Sequence, residues 1–152
     1  RHLRQDVIDV CRRARDLRPD MVFGADIIAG FPTETEDMFE NTVRIVEECD
    51  LTFLHVFPYS EREGTPAAKM PQVDHAARKQ RAARLRELGQ KQLHKFLNQN
   101  INKSHQVIVE KDNIGRAENF APVRVGDQHA PGDLVHMRAN GIDGDVLLAE
   151  AV

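Results

Sequence analysis

Few residues in this chain are of a type that does chemistry, and fewer are grouped. Asp26 and His55 each stand inside an apolar run, ADIIAG and LTFLHVFPY. A titratable group in such a place either lines a pocket or is held by hydrogen bonds in the core, and the core is the commoner outcome. Gly30 directly follows the first run. A glycine there lets the backbone turn sharply or approach a ligand closely, so the loops after the two runs could hold a small molecule through main-chain groups. No nucleophile, base and orienting group fall together. His2, His75, His94, His105, His129 and His136 show no metal-ligand spacing. Cys11 and Cys49, the chain's 2 cysteines, are too few for a disulfide framework or a thiolate metal site and read as small buried hydrophobes.

The elements that position these groups follow from periodicity. Leu3, Val7, Val10, Cys11, Ala14 and Leu17 draw an apolar stripe along a helix over 1–18, closed by Pro19. The arginines off that stripe, Arg1, Arg4, Arg12, Arg13, Arg15 and Arg18, read as a solvated face. Ala25–Thr35, ADIIAGFPTET, reads as a strand buried on both faces that breaks at a Gly-Phe-Pro turn. Thr33 with Glu36 then matches a capping box, which opens a helix running to about Glu48 with Phe39, Val43, Ile45 and Val46 inward. Glu34, Glu36 and Asp37 suit its positive N-terminal dipole. Leu51–Tyr59 follows as a second buried strand. Strand, helix, strand in that order predicts a right-handed βαβ unit with parallel strands. An irregular connection, PYSEREGTPAAKMPQV, leads to a helix over 74–98 with Ala82, Leu85, Leu88, Leu93, Phe96 and Leu97 inward. Arg78, Lys79, Arg81, Arg84, Arg86, Lys91 and Lys95 make it the densest basic patch, either a solvated face or an RNA contact.

Near Asn100 the period changes. HQVIVE, APVRV, DLVHMR and DVLLA alternate and are punctuated by glycines, which predicts four or five short strands in a small antiparallel β-barrel. The fold class is therefore α/β followed by all-β, with segments 1–73, 74–101 and 102–152. The formal charge of −3 excludes a global basic field. No apolar run spans a bilayer, which predicts no membrane partner and a cytoplasmic location. Starting without methionine inside a helical pattern, the chain reads as a piece of a longer polypeptide whose N-terminal part is missing.

ADIIAGFPTETEDMFENT, followed by LHVFPYSEREGTPAAKMP, resembles the last βα units of the radical S-adenosylmethionine barrel in tRNA methylthiotransferases. GRAENFAPVRV and PGDLVHM resemble their C-terminal TRAM domain, an OB-like RNA-binding barrel. The HVFPYS wording is similar to the subgroup that adds a methylthio group to threonylcarbamoyladenosine beside the anticodon. This resemblance implies a partial TIM-like barrel, S-adenosylmethionine and two 4Fe-4S clusters as cofactors, and tRNA as partner. It places Ile28 and Gly30 along the cofactor, Phe57 and Tyr59 near its adenine, and Arg116, Asn119 and Arg124 at the RNA. Phe120 would either stack on a base or sit in the core. In the family, reductive cleavage of one cofactor molecule gives a radical that abstracts hydrogen from an adenine carbon, where sulfur and methyl are installed.

The departure from the family is as informative. Its C-x-x-x-C-x-x-C loop is absent here, and such clusters require thiolate ligands, so this chain is not expected to turn over alone or to contribute catalytic or metal-binding residues. Two alternatives remain at this level: a stand-alone RNA-binding module with a non-catalytic α/β scaffold, and an unrelated α/β protein that binds a metabolite at Gly30. With only two strands of a larger barrel, an open sheet edge is also expected.

Overall fold

The structure, a computed structural model, describes residues 3–152; Arg1 and His2, at the start of the expected first helix, lie outside the described residues. The chain divides into two units, one up to Gln92 and one from Leu93 onward.

In the first unit α1 spans Arg4–Leu17, β1 Phe23–Ala29, α2 Glu36–Glu48 and β2 Leu51–Pro58. β1 and β2 pair in parallel, with Asp26 opposite His55 and Ile28 opposite Phe57. After a connection with one 3-10 turn at Ala67–Lys69, α3 runs over His75–Asn100 and crosses into the second unit. Asp74 caps it, its carboxylate accepting from the N–H groups of Ala76 and Ala77 at 2.8 and 3.2 Å.

The helices cover only one face of the sheet. Ile8, Cys11, Val46, Cys49 and Leu51 form one buried cluster, with Phe23, Ala25, Ile27 and Leu54 against it. Ala29, Phe39, Ala82 and Leu85 form a second, packed against Ile27 and Val56. Since strand side chains alternate, Asp26, Ile28, His55 and Phe57 fall on the opposite, exposed face. This corrects two expectations: β1 is not buried on both faces, and Asp26 and His55 are not core residues.

Three local readings also change. The N-cap of α2 is Thr35, whose hydroxyl accepts from the Met38 N–H at 3.2 Å. Thr33 cannot cap because its φ is 68° and its own N–H donates to the Pro71 carbonyl at 3.1 Å. In α1 the inward residues are Ile8 and Cys11, with the expected Val7 packed against their cluster, while Leu3, Val10 and Leu17 are exposed. Arg15 is no solvated arginine. It donates to the carbonyls of Cys49 and Asp50 at 2.7 and 3.0 Å and lies 4.6 Å over the Phe23 ring, neutralising the negative end of α2.

The second unit closes a five-stranded barrel in the order β3-β4-β5-β7-β6, from β3 Ser104–Val109, β4 Ile114–Ala117, β5 Pro122–Arg124, β6 Leu134–Asp143 and β7 Val146–Ala151. The expectation of a wholly antiparallel barrel fails at β5–β7, which pair in parallel. Topology requires this: strand direction cannot alternate all the way round a ring with an odd number of members. Val107, Val109, Ala117, Val123, Met137 and Leu147 fill the interior. The β3–β4 turn holds Asp112 and Asn113 at φ 57° and 59°, both positive, as a primed hairpin turn demands. Gly115 inside β4 permits close approach: a Cβ there would lie 2.4 Å from Val107 Cγ1 and 2.7 Å from the Ile108 carbonyl oxygen.

Cys11 and Cys49 are both buried free thiols. Burial, reinforced by the neighbouring Cys11, pushes the Cys49 thiol up to about 11. A thiol kept neutral in the fold but ionising from about 9 when unfolded contributes stability that is lost as pH rises through 9 to 11. Thermal unfolding followed across that range should show a steeper loss for the native chain than for Cys49→Ala. Equal slopes would contradict it.

Candidate functional site

The site is built at the C-terminal ends of the two parallel strands, where α/β folds bind ligands. Ile28 and Phe57, register partners, are each 53% exposed, an apolar pair in water. Beyond them, Phe31 and Tyr59 meet edge to face with ring centroids 5.4 Å apart. The Tyr59 N–H donates to the Ala29 carbonyl at 2.8 Å, so β2's exit is stitched to β1's. Asp26 and His55 flank the same exposed face one step along the strands. Four expected positions, Ile28, Gly30, Phe57 and Tyr59, are thus brought to one end of one sheet.

Gly30 has φ 74°, a conformation other residues enter at a cost. Its free side is occupied by the aliphatic stem of Arg78, with Cγ 2.4 Å from where a Cβ would stand. The glycine is therefore required by helix packing. Its N–H donates to Glu34 Oε2 at 2.9 Å. Arg81, only 8% exposed, donates to that same oxygen and to the Glu34 carbonyl, both at 2.9 Å, and to Glu36 at 3.0 Å. Arg84 bridges Glu36 and Glu40 at 3.1 and 2.6 Å, and both guanidinium groups lie within 5.4 Å of the Phe39 ring centroid. Two of the helix's seven named cations, Arg81 and Arg84, are thus spent on carboxylates at the start of α2, whereas Lys79, Arg86, Lys91 and Lys95 are exposed, as a solvated face would have them. Glu34 serves the turn, since it precedes α2.

A buried carboxylate that loses its cation carries a large desolvation cost. A double-mutant cycle with Arg81→Ala and Glu34→Ala should therefore return a coupling above about 1 kcal/mol by denaturant unfolding. A value near zero would contradict a shared ion pair.

On the barrel, Arg116 and Arg124 share the outer face of β4–β5, Arg116 opposite Pro122 and Arg124 opposite Ile114. Both are only loosely paired, Arg116 with Glu110 at 3.5 Å and Arg124 with Asp143 at 3.4 Å. Asn119 is placed differently. Its amide nitrogen donates to Asn100 Oδ1 at 2.9 Å and its oxygen accepts from the Ala121 N–H at 3.2 Å, so its hydrogen-bonding groups shape the β4–β5 loop. Phe120 is not core: it is 70% exposed, at φ 66°. The Ala117 carbonyl accepts from its N–H at 2.9 Å, and its own carbonyl accepts from Arg116 at 3.4 Å. A left-handed position closing such a loop normally takes glycine. An exposed aromatic there costs about 1–2 kcal/mol, and strain of this kind collects at functional sites. The positive φ was not readable from sequence, although an aromatic among polar loop residues was.

The residues do not fit an iron–sulfur cluster. No group of three or more His, Cys, Asp or Glu among the described residues could hold a metal ion, and the Cys49 thiol is held protonated in the core. Nor is any described helix long and apolar enough to cross a membrane.

No family model matches the chain. It is 50% identical over 143 residues, 94% of its length, to the threonylcarbamoyladenosine tRNA methylthiotransferase MtaB of Rickettsia prowazekii (strain Madrid E). It is 33% identical over 156 aligned positions, 98% of its length, to the tRNA-2-methylthio-N(6)-dimethylallyladenosine synthase of Bartonella bacilliformis (strain ATCC 35685 / KC583 / Herrer 020/F12,63). The chain spans about a third, 34%, of the length of each of these curated relatives. Over nearly all of its residues, then, the chain is homologous to the tRNA methylthiotransferases, as a C-terminal fragment of one would be.

Proposed function

We propose that this chain is the C-terminal third of a tRNA methylthiotransferase acting on threonylcarbamoyladenosine beside the anticodon. In this reading the first unit is the end of a radical S-adenosylmethionine barrel and the second is a TRAM-type RNA grip. The higher identity to the threonylcarbamoyladenosine-type relative supports the subgroup. The α/β unit offers S-adenosylmethionine an apolar wall: Ile28 and Phe57 would pack along the nucleoside, with Gly30 and Tyr59 shaping the turn behind them. When bound, that cofactor would supply the radical and the methyl group. The cluster ligands, and turnover itself, belong to the rest of the polypeptide.

The observation that carries the RNA assignment is the strained, exposed Phe120 bonded through its carbonyl to Arg116, with Arg124 on the same face. An exposed aromatic on a loop whose flanking strands carry arginines supplies the two groups that bind single-stranded RNA, a ring to stack on a base and guanidinium groups to pair with phosphate. Asn119 supports this surface by fixing its loop.

Phe120→Gly tests the assignment without unfolding the barrel, because glycine suits the left-handed position. Its melting temperature should be unchanged or higher, while affinity for a tRNA anticodon stem-loop, measured by fluorescence anisotropy, should fall about tenfold or more, one lost stack. Unaltered affinity, or a lower melting temperature with no other effect, would defeat the proposal.

A further inference from the structure

A second cationic feature lies in the first unit and involves none of the barrel residues assigned to RNA. Beside the exit of β2 is a cleft of about 580 Å³. Tyr59 and Glu61 line it from the loop, and His75, Arg78, Lys79 and Arg86 line it from α3. Arg78 is committed to structure: it donates to the Val73 carbonyl at 2.8 Å, the Tyr59 carbonyl at 3.3 Å and the Glu61 carboxylate at 3.2 Å. Lys79 and Arg86 are not. The Lys79 side chain makes no hydrogen bond or ion pair among the described residues, and that of Arg86 has only the Val56 carbonyl at 3.2 Å.

Elsewhere in this stretch of α3 the cations are matched. Arg81 and Arg84 are paired with α2's carboxylates, and Lys91 with Glu87 at 2.7 Å. The unmatched two stand seven residues apart, on one side of the helix two turns from each other, and both open into the same cleft. With Arg78 they set three cationic side chains against the single carboxylate of Glu61. The first turn of a long helix adds a partial positive charge at His75. Lysine supplies a point charge and arginine a planar fork, a combination suited to phosphate oxygens.

We infer that this cleft is a phosphate site that seats a backbone phosphodiester of the RNA, with Lys79 and Arg86 as its free ligands and Arg78 as its fixed floor. The inference rests on the proposed RNA function and adds a second anchor to it. A cleft this open takes a phosphate together with its flanking sugar, which suits a strand passing across the surface better than a small free anion.

The test uses the 152-residue chain, the double variant Lys79→Gln/Arg86→Gln, and an anticodon stem-loop RNA titrated across salt concentrations. Both side chains are exposed and lack carboxylate partners, so the variant keeps the fold. The expected result is an affinity about tenfold lower, with the slope of log affinity against log salt shallower by about one. Unchanged affinity and slope, with Phe120→Gly still weakening binding, would overturn this site and leave the RNA function standing. Absence of RNA binding by the unaltered chain would overturn both. A parallel titration with inorganic pyrophosphate, followed by amide shifts, addresses the other source of phosphate. Saturation at the cleft without any competition against RNA would assign the site to a free phosphate ligand and overturn the inference.

Discussion

The first unit depends on one nearly buried ion pair. Glu34 sits between the end of β1 and the start of α2, and its carboxylate accepts from both the Gly30 N–H and the Arg81 guanidinium. A charge at that depth is tolerable only while it is paired and hydrogen-bonded. The pair therefore fixes three things together: the left-handed turn at Gly30, the approach of α3, and the direction in which β1 ends. Arg78 completes the lock by filling the space where any side chain at position 30 would go. The half-exposed Ile28 and Phe57 owe their fixed placement to this tie, since no described helix covers the face they occupy.

In the second unit the constraint is closure. Five strands in a ring leave no open edge, at the cost of one parallel seam between β5 and β7. β4 and β5 are short, joined by a loop that Asn119 anchors to Asn100 at the end of α3. That anchoring lets Phe120 be held in a backbone conformation it would otherwise avoid, with its ring in solvent. Both units thus stabilise an exposed apolar group through polar contacts behind it.

Much of this was legible in the sequence. The order of helices and strands, the parallel pairing, a long basic helix from about residue 74 and the change of period near Asn100 all follow from local pattern. What was not legible depended on contacts distant in sequence. Thr33 and Thr35 both precede a helix, and the left-handed backbone of Thr33, with its hydrogen bond to the distant Pro71, decides between them. The facing of Asp26 and His55 turned on whether the sheet was covered on one side or two, which alternation within a strand does not reveal. Arg15 and Arg81 look like surface arginines until their partners, more than 30 positions away, are brought beside them. β4 escaped notice because Gly115 interrupts its pattern, although that glycine is what permits the close packing on Val107.

The central claim is that the β4–β5 face of the barrel meets RNA. The most direct measurement is photo-crosslinking of the whole chain to a tRNA anticodon stem-loop, with the attachment sites mapped by mass spectrometry. The account predicts attachment at Phe120 and within residues 116–124. Crosslinks confined to α1 and α2, with none on the barrel, would contradict it.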